Sequence, residues 1–265
     1  MNEFLDIAIK TAIEAGNDIM AIYNDPEADF GIERKADNSP LTRADKAAHA
    51  RIMTFLSNTD IPVLSEEGAH QPYVERSKWK RLWIVDPLDG TKEFIKRNGE
   101  FTVNIALVED GTPIMGVIYV PVKKVLYYGK AFGEKAGAFR ATIPDAAQPI
   151  PQKAETGKRV LTVVASRSHL SPETEAFIND LRNEHPDLEL VSSGSSLKIC
   201  LVAEGAADVY PRHAPTMEWD TAAGDAIARA AGCTVVDATT GHPLHYNKAD
   251  LHNPWFIVRR DVASQ

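Results

Sequence analysis

The chain has 265 residues, 44% of them hydrophobic and 25% charged, a composition that belongs to a folded globular protein and excludes disorder. Twenty-nine basic residues against thirty-seven acidic ones leave a net charge of −8, which excludes broad electrostatic capture of nucleic acid or of an anionic membrane surface. A phosphate-bearing ligand must therefore be held by a few placed cations.

From Phe4 to Tyr23 apolar residues recur at helical spacing (Ile7, Ala8, Ala12, Ile13, Ala15, Ile19, Ile22) until Asn24-Asp25-Pro26 ends the pattern, so an amphipathic helix opens the chain. The stretch Arg34 to Pro40 is polar and turn-rich. Thr42-Arg43-Ala44-Asp45 then reads as a capping box that starts a helix running to about Leu56 and puts Asp45 in its first turn. Pro62 to Ser65 is a short strand delivering Glu66-Glu67-Gly68, and Leu82 to Val85 is another, delivering Asp86-Pro87-Leu88-Asp89-Gly90-Thr91. Thr102 to Val108, Ile114 to Val120 and Val125 to Tyr128 are β-rich runs separated by Asp110-Gly111 and by Pro121 to Lys124, the pattern of an antiparallel meander.

Between about Thr142 and Lys158 no periodicity survives, which places a junction between an α+β half, residues 1–145, and an α/β half, residues 158–265. In the second half, strands at Val160 to Ala165, Leu188 to Val191 and Ala207 to Tyr210 alternate with helices at Pro172 to Arg182 and Ser196 to Ala203. An Ala-rich helix from Asp220 to Ala231 ends at Gly232 as its C-cap, and strands at Thr234 to Val236 and Trp255 to Val258 follow.

Apolar strand residues run straight into two carboxylates three positions apart, Asp86 and Asp89. Asp-Pro and Asp-Gly are also ordinary turn punctuation. Two acids meeting at a strand end repel each other unless a cation neutralises them, and hard oxygen ligands favour Mg²⁺ or Mn²⁺ over Zn²⁺. Pro87 stiffens the turn and can help aim the Leu88 carbonyl inward, while Gly90 and Thr91 can offer backbone N–H groups to a phosphate if a helix starts there. Glu66-Glu67 and Asp220 are the other acids that could converge on this point. Taken singly, the glutamate pair reads equally as solvated surface and Asp220 as a helix cap. His242, His245 and His252 do not make a zinc site, since no second ligand pair accompanies them.

Together, Asp86-Pro87-Leu88-Asp89-Gly90-Thr91, Trp219-Asp220-Thr221-Ala222-Ala223-Gly224, Glu66-Glu67 and the block from Lys35 to Asp45 resemble the Mg²⁺-dependent, lithium-sensitive phosphatases that include inositol monophosphatase and the bisphosphate nucleotidases. The stretch Asp89 to Val108 is similar to the CysQ-type 3′(2′),5′-bisphosphate nucleotidases. Inositol monophosphatases usually carry Thr-Asn-Phe where this chain has Lys92-Glu93-Phe94, and a Glu where it has His213. The resemblance implies an α+β fold of the layered αβαβα sugar-phosphatase kind, with the site between the halves. It implies that Glu66, Asp86 and the Leu88 carbonyl hold one Mg²⁺, that Asp86, Asp89 and Asp220 hold a second, and that Glu67 supports them; a third, weaker ion is left open. It also implies that the Thr91 hydroxyl holds the attacking water and is oriented by Asp45.

The reaction so implied is removal of the 3′-phosphate from adenosine 3′,5′-bisphosphate, giving AMP, and from its 5′-phosphosulfate analogue, in sulfur assimilation. Glu66, Leu88, Asp89, Gly90, Thr91 and Asp220 would face the scissile phosphate. Ser195, Lys198 and Arg212 are placed near the nucleotide and its 5′-phosphate, with a solvated surface lysine as the competing reading of Lys198. The alternatives are an inositol phosphate or fructose 1,6-bisphosphate phosphatase, and a non-catalytic sensor, which would lack a metal ligand that this chain retains. The partner is a small nucleotide bisphosphate rather than a nucleic acid polymer, and the chain is read as a monomer or homodimer. Cys200 and Cys233 lie in apolar, Ala-rich surroundings and read as reduced thiols. The acidic amino terminus and the lack of an apolar run near the length of a membrane span give an expectation of a cytoplasmic protein, with peripheral attachment to the cytoplasmic face of the inner membrane left open.

Overall fold

Ala8, Ala12, Ala15 and Ile19 are fully buried along one face of α1 (Asn2–Tyr23), which lays this apolar stripe on the sheet beneath it. The computed structural model describes residues 2–35, 38–69, 71–131, 136–151, 160–166 and 171–260. Thr42 caps α2 (Arg43–Leu56): its hydroxyl accepts from the amides of Ala44 and Asp45, and Asp45 Oδ2 accepts from the Thr42 amide at 2.7 Å. The expected capping box is present, and it holds Asp45 buried in the first turn. The remaining helices are α3 (Tyr73–Arg76), α4 (Thr91–Ile95), α5 (Pro172–Glu184), α6 (Leu197–Glu204) and α7 (Glu218–Ala230).

Strands β1 (Glu33–Arg34) and β2 (Pro40–Leu41) make a small antiparallel ribbon. A seven-stranded sheet follows in chain order: β3 (Val63–Ser65), β4 (Arg81–Asp89), β5 (Thr102–Glu109), β6 (Thr112–Val120), β7 (Val125–Lys130), β8 (Gly137–Thr142) and β9 (Gln148–Ile150). Only β3 and β4 pair parallel; every later neighbour is antiparallel. The meander is thus longer than its apolar runs suggest, and β9 lies inside the stretch read from sequence as a junction, so the first sheet continues past residue 145. Residues 152–159 of that stretch lie outside the described ones.

The second sheet contains β10 (Thr162–Ala165), β11 (Glu189–Ser192), β12 (Val209–Arg212), β13 (Cys233–Asp237) and β14 (Phe256–Arg260), in the order β11-β10-β12-β14-β13. Its β10, β11 and β12 run parallel, and β14 is antiparallel to both of its neighbours. Val164 faces the core shared with α6, α7 and the larger sheet, whereas Val163 and Ala165 face Phe177, Ile178 and Leu181 of α5. The layers are therefore α1 and α2, larger sheet, α6 and α7, smaller sheet, α5, the αβαβα arrangement. The middle layer sits very close to the larger sheet. A Cβ on Gly116 of β6 would lie 2.1 Å from the Ala223 carbonyl oxygen of α7, so only glycine fits there.

Candidate active site

β4 carries the central acids. Its backbone is buried from Leu82 to Leu88, and its pairing with β5 runs in register to Asp86–Asn104, then skips to Asp89–Thr102. Pro87 and Leu88 occupy this irregularity, where a proline costs no ladder hydrogen bond. Both acids therefore belong to the distorted end of the strand rather than to a loop beyond it. Gly90, at φ +96°, turns the chain into α4, which starts at Thr91.

Asp220 arrives from the opposite side, as the third residue of α7, with its Oδ2 accepting from the Met217 amide at 2.9 Å. Asp220 is not the N-cap that the sequence suggests: the helix starts two residues earlier with Met217 as its N-cap, and Asp220 caps it from the third position with one oxygen. One carboxylate oxygen from each of Asp86, Asp89 and Asp220 lies within 4.8 Å of the other two. Burial pushes all three carboxyls above the usual range. The charges of Glu66, Asp89 and Asp220 push Asp86 further up, and Asp89 does the same to Asp220. Three buried acids sharing one point, with only oxygen donors, fit a hard divalent cation.

Glu66 stands just outside that triad and shares a hydrogen bond with Asp86. Lys35 binds Glu66 Oε1 at 2.6 Å and Glu67 Oε1 at 2.5 Å, a bridge from the segment between β1 and β2 to the end of β3. Sequence reasoning placed Lys35 in a motif and missed this pairing; Ala36 and Asp37 of the same motif lie outside the described residues. Thr91 Oγ1 lies 3.1 Å from Asp45 Oδ1 and 3.3 Å from the Leu88 carbonyl oxygen. Burial raises the Asp45 carboxyl, against the hydrogen bonds it accepts from Thr42.

A cleft of about 370 Å³ opens beside the triad, lined by Asp89, Gly90 and Asp220 together with Ser195, Lys198 and Arg212. The reading of Lys198 as a solvated surface lysine is wrong. It is 5% exposed, its Nζ donates to the Ser195 carbonyl at 2.6 Å and lies 5.4 Å from the Tyr210 ring centre. Burial lowers its pKa to about 8, opposed by the charge of Asp89. Two residues lining this cleft each hold a buried polar atom, Ser195 Oγ and Arg212 Nε, with no hydrogen-bond partner among the described residues. Such atoms are costly unless a ligand satisfies them.

Sequence reasoning also missed a buried network behind the triad. The Ser196 amide donates to Asp89 Oδ2 at 2.6 Å, Ser196 Oγ reaches Asn104 Oδ1 at 2.9 Å, and Thr102 Oγ1 lies 2.8 Å from Ser196 Oγ. The signal was there, since Thr102 and Asn104 interrupt an otherwise apolar strand. His213 packs between the rings of Phe177 and Trp255 and does not line the cleft. His252 pairs with Asp250, and among the described residues the only cluster able to hold a metal is the aspartate triad.

A model of the inositol monophosphatase family matches residues 1–260. The chain is 48% identical over 261 residues to the 3′(2′),5′-bisphosphate nucleotidase CysQ of Escherichia coli strain K12, covering 96% of this chain and 98% of that protein. The crystal structure of CysQ from Bacteroides thetaiotaomicron, a bacterial member of the inositol monophosphatase family, matches with a TM-score of 0.87 and 55% identity over 97% of both chains. That of the extragenic suppressor protein suhB from Bartonella henselae matches in fold, with a TM-score of 0.76 at 24% identity over 98% of this chain and 94% of that one. The chain therefore belongs to the inositol monophosphatase family, whose members are metal-dependent phosphatases. Within that family it is similar to the CysQ 3′(2′),5′-bisphosphate nucleotidases. Among the described residues no helix is long and apolar enough to cross a membrane.

Proposed function

We propose that this chain hydrolyses the 3′-phosphate of adenosine 3′,5′-bisphosphate to give AMP, and acts likewise on the 5′-phosphosulfate analogue, as a Mg²⁺-dependent, lithium-sensitive enzyme of sulfur assimilation. The observation that carries the reading is a cleft that brings two chemically different sets of groups together: acids of the aspartate triad, and the cations Lys198 and Arg212 with the unpartnered buried Ser195 Oγ and Arg212 Nε. A substrate with two phosphates satisfies both.

In this reading Glu66, Asp86 and the Leu88 carbonyl would hold one Mg²⁺, and Asp86, Asp89 and Asp220 would hold a second. When bound, such ions neutralise phosphoryl oxygens, acidify a water and stabilise the departing oxygen. Thr91 Oγ1, aimed by Asp45 Oδ1, positions the attacking water and passes its proton towards Asp45. The backbone of Gly90 and Thr91 lies against the scissile phosphate. Lys198 and Arg212 bind the 5′-phosphate with Ser195.

Phosphate release from adenosine 3′,5′-bisphosphate, inositol 1-phosphate and fructose 1,6-bisphosphate, each with Mg²⁺ and with Mg²⁺ plus lithium, tests the proposal. A kcat/KM preference for the nucleotide of at least about a hundredfold, on the scale of two lost charge-assisted contacts, supports it. Preference for inositol 1-phosphate or fructose 1,6-bisphosphate overturns it, and release from none points to the sensor.

A further inference from the structure

Asp89, Glu93 and Asp220 are the acids that line the cleft among the described residues. Two of them belong to the triad, which leaves Glu93 facing a doubly phosphorylated substrate. A carboxylate there repels phosphate, so its presence calls for something in the substrate that donates a hydrogen bond to it. Among the described residues Glu93 makes no salt bridge. Burial and the charge of Asp89 raise its carboxyl, opposed by a hydrogen bond from its own backbone amide and by the attraction of Lys198 and Lys96, which leaves its remaining acceptor capacity for a ligand.

Its position is set by two glycines. A Cβ on Gly90 would lie 3.4 Å from Glu93 Oε2, and one on Gly194 would lie 3.1 Å from Glu93 Cγ. The carboxylate thus stands next to Gly90, beside the proposed seat of the scissile phosphate. The substrate group nearest to that phosphate, and able to donate, is the hydroxyl on the adjacent sugar carbon. The exocyclic amine of the base lies across the ribose from it.

Resting on the nucleotidase reading, we propose that Glu93 accepts a hydrogen bond from the substrate hydroxyl vicinal to the scissile phosphate and so selects ribonucleotides over 2′-deoxyribonucleotides. This assigns a task to the Lys92-Glu93 pair that departs from the inositol monophosphatase pattern.

The test compares kcat/KM for adenosine 3′,5′-bisphosphate and its 2′-deoxy analogue in the wild type, Glu93→Gln and Glu93→Leu. The wild type is expected to prefer the ribonucleotide by about 10–100-fold, the range of one hydrogen bond to a charged group. Glu93→Leu is expected to bring the ratio to near one. Glu93→Gln, isosteric and still an acceptor, is expected to fall between. A general loss of activity or folding cancels in the ratio. A wild type that does not discriminate, or a preference that survives in Glu93→Leu, overturns the proposal while leaving the nucleotidase reading intact. Absence of hydrolysis of either nucleotide by the wild type overturns both.

Discussion

Thr91 Oγ1 lies 3.1 Å from Asp45 Oδ1, joining the start of α4 to the first turn of α2. The second Asp45 oxygen is occupied by the amide and hydroxyl of Thr42, at 2.7 and 2.5 Å. One carboxylate therefore caps a helix and aims a hydroxyl. Thr91→Ala is expected to lower kcat by about 10²–10⁴-fold with KM little changed, the scale of a lost general base. Thr91→Ser should retain most of the rate. Wild-type kcat in Thr91→Ala, measured with saturating Mg²⁺, would remove this pair from the chemistry.

Asp86 is buried among Glu66, Asp89 and Asp220, and its charge is unfavourable until a cation arrives. Asp86→Asn removes one negative charge from both proposed ion positions. The variant is expected to be at least as stable as the wild type without Mg²⁺, and to gain much less thermal stability when Mg²⁺ is added. Melting curves across a Mg²⁺ titration check this without reference to activity. An unchanged Mg²⁺-dependent gain in Tm would show that Asp86 holds no metal.

Local chemistry made part of this site readable before any coordinates. The capping box at Thr42 to Asp45, the strand ending in Asp86 and Asp89, and the helix carrying Asp220 are each defined by residues within a few positions of one another. What the chain order hides is side-chain environment. Lys198 looks like any helical lysine until the smaller sheet and Tyr210 enclose it. Lys35 meets Glu66 and Glu67 across 31 and 32 residues. Arg76 reaches Asn247 across 171, fastening α3 to the loop that also binds Glu218 at the start of α7. Strand β9 was unreadable because three residues with two exposed positions carry no alternation to detect.

Lys198 tests the cationic part of the cleft. Lys198→Met keeps the buried stem and removes the charge, so the loss is expected in KM for the bisphosphate, by about 10–100-fold. Adenosine 3′-monophosphate lacks the 5′-phosphate and should be much less affected. Because burial places the amine's pKa at about 8, the wild-type KM should climb as the pH rises through that value, and the variant should lose this dependence. Equal loss on both substrates would move Lys198 away from the 5′-phosphate.

Asp225, fully buried on α7, accepts from Arg229 Nη2 and from the Tyr246 hydroxyl, both at 2.9 Å. Burial outweighs the attraction of Arg229 and lifts its pKa from 3.8 to about 6. The folded chain thus holds a proton more tightly than the unfolded one, so this group's contribution to stability is present below about pH 4 and is lost as the pH rises through 6. Urea melts of the wild type should show a decline relative to Asp225→Asn of about 3 kcal/mol across that interval. Parallel pH profiles for the two proteins would show that Arg229 fully compensates the burial.

Gly116 decides how close the middle helical layer can come. An added methyl there meets the Ala223 carbonyl oxygen at 2.1 Å and the Ala223 Cα at 3.0 Å, all backbone of α7 and unable to rotate away. Overpacking of this kind costs about 1–3 kcal/mol even where side chains can yield, so Gly116→Ala should lose at least that much. Asp220 lies on the same helix, one turn before Ala223, so any retreat of α7 also draws a carboxylate out of the triad. The variant should therefore need more Mg²⁺ for half-maximal activity as well as unfold earlier. Gly232→Ala separates steric contact from conformational strain, because φ is +82° there but no atom lies within 4 Å of the added methyl. It should cost about 1 kcal/mol and leave the Mg²⁺ requirement unchanged. If Gly116→Ala also leaves the Mg²⁺ requirement unchanged, the spacing between sheet and helix does not set the geometry of the triad.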